Sequence, residues 1–202
     1  MQCLIFKSSR FSFFLLFLLI LPIILETNFL LTIWLKNVPN NAVIFTQIML
    51  LIVLLNPFAS PITIANQATG KIKLYQIVVG CTLMSIIPLS YIALKFGAPA
   101  YSVFIVHFIM ETFAQFLRMF MMRKLIDLSL WQYMKNVYFP VFVTVAFSMI
   151  LPILVHLQFV EGWLRFITVV LVSVFSVGLT TLFIGLTKSE RRFIFNKILR
   201  IR

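Results

Sequence analysis

The stretch FSFFLLFLLILPIILETNFLLTIWL, residues 11–35, decides the fold of this chain. Its one charged side chain is Glu26, and about 20 apolar residues in helical form are enough to cross a bilayer. Similar stretches follow, and together they predict six spans, at residues 11–35, 42–66, 74–95, 100–122, 133–157 and 163–187. Because open strands would leave backbone groups unpaired in lipid, the sequence predicts an all-α integral membrane helical bundle, a single membrane domain over residues 1–202.

The composition of the whole chain agrees with lipid as its solvent. Hydrophobic residues make up 62% of the chain and charged residues only 11%, whereas about 25% of the residues of a soluble domain are charged. The net charge of +12 does not indicate nucleic-acid binding, because the Lys and Arg residues lie between the apolar runs and not on one soluble surface. The two cysteines, Cys3 and Cys81, are interpreted as small apolar residues.

The basic residues alternate between the gaps in a way that predicts the orientation. The leader, the second and fourth gaps and the tail hold 13 of them, against 3 in the other gaps, and Arg118 lies inside a span. Since cytoplasmic loops are enriched in Lys and Arg, the N-terminus and the C-terminus are both predicted to be cytoplasmic. The first span is interpreted as a retained helix, because Glu26-Thr27-Asn28 stands where a signal peptide has a small-residue cleavage site.

Prolines interrupt the predicted spans more often than the loops. Six lie within spans: Pro22, Pro57, Pro61, Pro88, Pro140 and Pro152. Each removes a helical hydrogen bond and tends to bend its helix. The pattern is typical of a transporter-like bundle with bent helices, although proline is also commoner in membrane helices than in soluble ones.

Two predicted spans carry polar stripes at helical spacing. In the second, Asn56, Ser60, Thr63 and Gln67 share one helical face. They are interpreted either as the wall of a hydrated pathway or as interhelical hydrogen-bonding groups. In the fourth, His107, Glu111, Gln115 and Arg118 share a face in the same way.

Ionisable groups inside a membrane usually face a partner or a cavity. Glu111 and Arg118 are seven residues apart, about 10.5 Å of helical rise, so a pair bridged by water or by the Gln115 amide is expected. A structural ion pair is the alternative to a substrate site. Glu26 and Glu111 are candidate coupling carboxylates, and Glu26 is expected near the outer end of its helix, where it can reach the interface.

No catalytic or metal-binding pattern stands out. The stretch QATGKIKLYQ (67–76) lacks the first Gly and the Ser or Thr of a phosphate loop, and Gly70 is predicted to end a helix in the left-handed conformation. His107 and His156 lie on different spans without a carboxylate-rich or Cys-rich set. We therefore expect no enzyme, no metal and no cofactor. The basic tail from Lys188 onward is predicted to contact anionic headgroups.

Several stretches, in this order, resemble Wzx-like polysaccharide biosynthesis (O-antigen) flippases, within the superfamily of multidrug, oligosaccharidyl-lipid and polysaccharide exporters. They are residues 11–35, VIFTQIMLLI (43–52), ANQATGKIKLYQIVVG (65–80), PLSYIALKFG (88–97), YSVFIVHFI (101–109), LRMFMMRKLIDLS (117–129) and GLTKSERRFI (185–194). The resemblance implies a multi-pass protein of the bacterial inner membrane. Its implied substrate is an undecaprenyl-diphosphate-linked oligosaccharide.

Members of that family have twelve to fourteen helices in two lobes, so the resemblance implies that these six spans form the C-terminal lobe. A partial flippase, which needs a missing N-terminal lobe or a second copy, is therefore expected, and Met1 is interpreted as an internal methionine of a longer ancestral frame. The alternatives are a multidrug or cation antiporter of the same superfamily, and a non-transporting scaffold or truncated-gene remnant. The expected partners are the lipid bilayer with anionic headgroups and the lipid-linked oligosaccharide, with no nucleic acid.

Overall fold

The computed structural model describes residues 2–35, 37–70, 72–126, 129–186 and 190–191, and this part of the chain is helical with no strand. It contains six helical spans long and apolar enough to cross a membrane: span 1 Gln2–Leu25, span 2 Ala42–Ala68, span 3 Ile72–Lys95, span 4 Ser102–Arg123, span 5 Leu130–Gln158 and span 6 Trp163–Gly185. The all-α bundle of six spans is thereby confirmed. The side on which the termini lie stays a prediction, and most of the basic tail, from 192 onward, lies outside the described residues.

Four of the six spans are built from two or three helical pieces. The α-helices are α1 Gln2–Leu25, α2 Thr27–Leu35, α3 Ala42–Val53, α4 Asn56–Ala68, α5 Ile72–Met84, α6 Ile86–Lys95, α7 Ser102–Ile126, α8 Leu130–Tyr133, α9 Phe139–Gln158 and α10 Trp163–Thr180. Two π-helical segments, Met134–Tyr138 and Thr181–Gly185, follow α8 and α10.

The spans pack as two groups of three. Helix α1 contacts α9 and α10, which contact each other, so spans 1, 5 and 6 form one group. Helix α7 contacts α3, α4, α5 and α6, so spans 2, 3 and 4 form the other. The main joint between the groups is the contact of α1 with α4. Span 1 is the central helix, with 44% of its most apolar window buried, against 11% in span 3.

The core lies around span 1 at the joint between the groups. Aromatic rings fill much of it: Phe13 stacks on Phe17 with 5.7 Å between ring centroids and lies 5.1 Å from Phe58, which stacks on Tyr138 at 4.8 Å. Because lipid tails are as apolar as these side chains, close packing and not water exclusion must favour this arrangement. Interlocking rings supply many such contacts in a small volume.

Prolines set most of the breaks between helical pieces. Pro57 cannot donate to the carbonyl one turn earlier, and the helix is interrupted at Leu54 and Leu55. Pro88 follows the break at Ser85 in the same way. Before Pro140 the helix adopts the wider π form, in which the Phe139 N–H donates to the Met134 carbonyl. The prolines thus coincide with interruptions at these places, while Pro22, Pro61 and Pro152 lie inside continuous helices.

The helix ends follow local chemistry at two glycines. Gly70 has φ 73° after α4, as predicted. Gly97 has φ 80° after α6; its N–H donates to the Leu94 carbonyl at 3.0 Å and the Ala98 N–H donates to the Ala93 carbonyl at 3.2 Å. These paired bonds satisfy carbonyls that the end of a helix leaves free.

The first span begins earlier than the sequence predicts. The expected span covers 11–35, but α1 already begins at Gln2 and is followed by α2 after an interruption at Glu26. Lys7 and Arg10, expected in a leader, are therefore helical. The hydrophobicity window marks where lipid is needed and not where helical hydrogen bonding starts, which explains the difference.

Candidate functional site

The centre of the candidate site is an ion pair inside span 4. Nη1 of Arg118 donates to Oε1 of Glu111 at 2.7 Å, and both side chains are largely buried. The expectation of a water- or amide-bridged pair was wrong, because the contact is direct. Helical side chains tilt toward the N-terminus of their helix, so the long Arg118 side chain extends back along α7 and closes a separation of about 10.5 Å in rise.

Gln115 lies between the two charges but takes no part in their contact. It is 2% exposed, and neither atom of its amide has a hydrogen-bond partner within the described residues. The Tyr138 hydroxyl of span 5 lies near this amide without reaching hydrogen-bonding geometry. A buried amide without hydrogen-bond partners is costly. A polar ligand or a water that forms hydrogen bonds with the Gln115 amide would therefore be stabilising.

Groups from spans 2 and 3 complete the surroundings of the pair. The Thr63 hydroxyl lies 2.9 Å from the Tyr75 hydroxyl, and Tyr75 in turn lies beside the Arg118 guanidinium. Thr63 is therefore the member of the second-span stripe that the structure brings to the charged pair. The remaining residue of the fourth-span stripe, His107, is half-buried on α7 and has no hydrogen bond to another described side chain.

The other three residues of the second-span stripe face outward. Asn56, Ser60 and Gln67 are exposed on α4, together with the apolar Ile64. Their placement on one face of the helix follows the predicted spacing. A role for this face as the wall of a pathway stays a prediction.

A second charged cluster surrounds Glu26 at the interruption between α1 and α2. Glu26 is fully buried, and its Oε2 accepts from Arg165 at 2.9 Å (Nη2) and 3.2 Å (Nε). Its Oε1 lies 3.0 Å from Nδ1 of His156. Two basic side chains from spans 5 and 6 thus close over Glu26, and its expected place near the membrane interface stays a prediction.

The cluster extends to the short connection between spans 5 and 6. Oε1 of Glu161 accepts from Nη2 of Arg165 at 3.3 Å and from the Asn28 amide at 3.1 Å. The hydrogen bond from Asn28, followed by that from Arg165, lowers the pKa of the Glu161 carboxyl. Sequence reasoning missed His156 and Arg165 as partners of Glu26. The available signal was that the end of span 5 and the start of span 6 share the predicted membrane side of Glu26.

A third pair joins the first helix to the segment after span 6. Nη2 of Arg10 donates to both carboxylate oxygens of Glu190, at 2.6 and 2.8 Å. Both residues are buried. Sequence reasoning assigned Arg10 only to the basic leader, and the 180 residues that separate the partners gave no signal of the contact.

The ion pairs account for every carboxylate among the described residues. Glu26 and Glu161 pair with Arg165, Glu111 with Arg118, and Glu190 with Arg10. No group of three or more His, Cys, Asp or Glu residues able to hold a metal occurs in the part of the chain that the structure describes. These arginines therefore compensate the carboxylate charges within a low-dielectric interior.

By length and composition of its helices, the chain is a multi-pass, all-helical membrane protein. No protein-family model, curated protein or solved structure matches it.

Proposed function

We propose that the chain is one lobe of a flippase that moves an undecaprenyl-diphosphate-linked oligosaccharide across the bacterial inner membrane. The other lobe is either an N-terminal lobe or a second copy. The resemblance to Wzx-like proteins in residues 11–194 supports the substrate class. Interrupted helices and charges inside spans support transport as the general activity.

The exposed polar face of α4 is the observation that carries the two-lobe proposal. Asn56 lies near the middle of span 2, and Ser60 and Gln67 follow it on the same outward face. A carboxamide or hydroxyl facing lipid tails has no hydrogen-bond partner and costs free energy. Another protein surface or a hydrated pathway would supply those hydrogen-bond partners. A cavity between two lobes provides both a facing protein surface and water.

The interior pair gives the proposal its chemistry. Arg118 offers a guanidinium that suits a diphosphate, once its contact with Glu111 opens. Glu111, then freed from its partner, is the first candidate for the coupling carboxylate, and Glu26 is the second.

Labelling of single cysteines tests whether the α4 face is hydrated. In a background with Cys3 and Cys81 changed to serine, Ser60→Cys should react with a membrane-impermeant maleimide in cells. The matched control is Leu171→Cys, an exposed residue near the middle of span 6, which should remain unlabelled because lipid covers it. Equal labelling of both positions, or none at either, would contradict the two-lobe proposal.

Complementation tests the substrate. In a flippase-deficient strain, the chain should restore surface polysaccharide only when an eight-span N-terminal lobe of a related flippase is co-expressed. Restoration by the chain alone would assign the second lobe to another copy. Restored drug resistance in an exporter-deficient strain, without restored polysaccharide, would favour the antiporter alternative.

Paired variants separate a substrate site from a structural ion pair. Glu111→Gln and Arg118→Gln should each lower the protein level, because each leaves a buried charge uncompensated, at a cost of about 3–5 kcal/mol when fully buried. The double variant should regain the level but not transport, since Arg118 is needed for the diphosphate. Arg123→Gln, an exposed change on the same helix, is the control and should leave both unchanged. Regained transport in the double variant would make the pair purely structural.

A further inference from the structure

Span 5 carries a surface groove, and Tyr138 is the member of its described lining that also lies near Gln115. Its volume is about 620 Å³. Its described lining recurs turn after turn along one face of the span: Trp131, Met134, Lys135, Tyr138, Phe139 and Phe142. Trp131, Phe139 and Phe142 are 78%, 66% and 74% exposed, so the described part of the chain leaves these large rings uncovered.

The groove has a polar end and an apolar end. Span 5 begins at Leu130, so Trp131 and Lys135 lie in its first two turns, where the span meets the membrane surface. Phe142 lies seven residues beyond Lys135, about 10.5 Å deeper along the axis. The groove thus has an ammonium group and an indole N–H at the end expected near the membrane surface and aromatic rings toward the interior. This polarity complements that of a phospholipid, with its polar headgroup and apolar chains.

Among the described lining residues, Lys135 is the one cationic side chain. It is exposed, and no carboxylate of the described residues pairs with it, since each of those carboxylates is held by an arginine. An ammonium group at the membrane surface attracts anionic headgroups. The excess of basic residues in the whole chain, with a net charge of +12, acts in the same direction.

The backbone helps to shape this face. Met134, Lys135 and Tyr138 belong to the π-helical segment that precedes Pro140. The wider turn changes the direction of successive side chains relative to a regular α-helix. The lysine and the rings line a single groove.

We propose that this groove binds an anionic phospholipid, with the phosphate at Lys135 and the Trp131 indole N–H and an acyl chain along Phe139 and Phe142. The described lining of the groove includes neither Glu111 nor Arg118, although Tyr138 is shared with the surroundings of Gln115. The inference does not rest on the flippase proposal. It would hold a structural lipid of the membrane itself.

Fluorescence quenching by brominated lipids tests the site directly. The chain has three tryptophans, so Trp34→Phe and Trp163→Phe leave Trp131 as the single reporter. In mixed micelles, brominated phosphatidylglycerol should quench Trp131 at about fivefold lower concentration than brominated phosphatidylcholine, as one lysine near the surface implies. Lys135→Gln should abolish the preference, Lys135→Arg should keep it, and high salt should weaken it.

Two matched controls make the result specific. Lys95→Gln removes an exposed lysine at the end of α6 and should leave the preference at Trp131 intact. A variant with Trp163 as the single reporter should show no preference. Equal quenching of Trp131 by both lipids would overturn the proposal, as would equal effects of Lys95→Gln and Lys135→Gln. Loss of quenching as the protein-to-lipid ratio rises would assign the groove to contact between copies instead. Gel filtration of each variant confirms that the fold persists.

Discussion

Glu26→Gln is expected to destabilise the chain more than removal of any exposed charge. The carboxylate is fully buried at the interruption between α1 and α2 and accepts two hydrogen bonds from Arg165. Oε1 also contacts His156. Glutamine keeps the volume and one acceptor oxygen but removes the charge that compensates Arg165. The guanidinium is then left buried beside a neutral amide.

The size of the effect follows from what remains around Arg165. Breaking a buried pair costs about 3–5 kcal/mol. Arg165 keeps its contact with Glu161 at 3.3 Å, but that side chain is 55% exposed, and pairs of this kind contribute only about 0–1 kcal/mol. We therefore expect Glu26→Gln to cost about 3 kcal/mol, and Glu161→Gln less than about 1 kcal/mol.

Reversible unfolding in mixed micelles, driven by an increasing fraction of denaturing detergent, measures both values. The double variant Glu26→Gln with Arg165→Gln should recover more than half of the loss, because it removes the uncompensated charge and leaves two amides able to pair. If Glu26→Gln unfolds at the same detergent fraction as the parent and Glu161→Gln, the buried cluster does not stabilise the fold and the reasoning fails.

One further prediction follows from the distribution of basic residues and two from particular contacts. Fusions of alkaline phosphatase and of a fluorescent protein should report the orientation of the chain. Fusions at Gly70, Leu128 and the C-terminus should report the cytoplasm, and fusions at Asn40, Ala98 and Glu161 should report the opposite side. A cytoplasmic signal from the second set would contradict the count of basic residues. Because its pKa is lowered, ionised Glu161 stabilises the fold at pH values above its ordinary pKa of 4.5. This stabilisation is lost as the pH falls through the lowered pKa. Asn28→Ala should reduce this pH dependence of the free energy of unfolding, and an unchanged profile would contradict the assignment. A Cβ on Gly185 would lie 2.7 Å from the Phe14 ring, whereas a Cβ on Gly178 would meet nothing within 4 Å. Gly185→Ala should therefore lower the free energy of unfolding by about 1–3 kcal/mol, and Gly178→Ala should not lower it. Equal free energies of unfolding for the two variants would refute the close approach.

The fold was predictable from the sequence because membrane helices are specified locally. Each span needs only its own apolar length. The breaks near Leu54, Ser85 and Met134 are explained by prolines that come a few residues later in the same stretch. The start of span 1 was not predictable in this way. Arg10 is helical and buried because Glu190, far away in the chain, compensates its charge.

The candidate site shows the same division between local and distant information. Glu111, Gln115 and Arg118 share a helix face by spacing alone, so their proximity could be read from the sequence. Their direct contact depends on side-chain direction and reach, which spacing does not give. The partners of Glu26 come from residues 130 and 139 positions away, and only the packing of spans 5 and 6 against span 1 brings them together.

The positions of the ion pairs distinguish the two groups of spans. Glu26 pairs with Arg165 at one end of spans 1 and 6, and Arg10 pairs with Glu190 at the other. These antiparallel helices are thus held at both ends by buried charges, which fixes their relative register. Among the described residues, the ion pair of the second group, Glu111–Arg118, lies within one helix and ties no two spans together. Sliding of spans 2, 3 and 4 against span 1 would therefore separate apolar contacts and a few hydrogen bonds, whereas separating span 6 from span 1 would leave buried charges unpaired, at several kcal/mol each. Any movement between the groups would consequently take place mainly at the joint of α1 with α4.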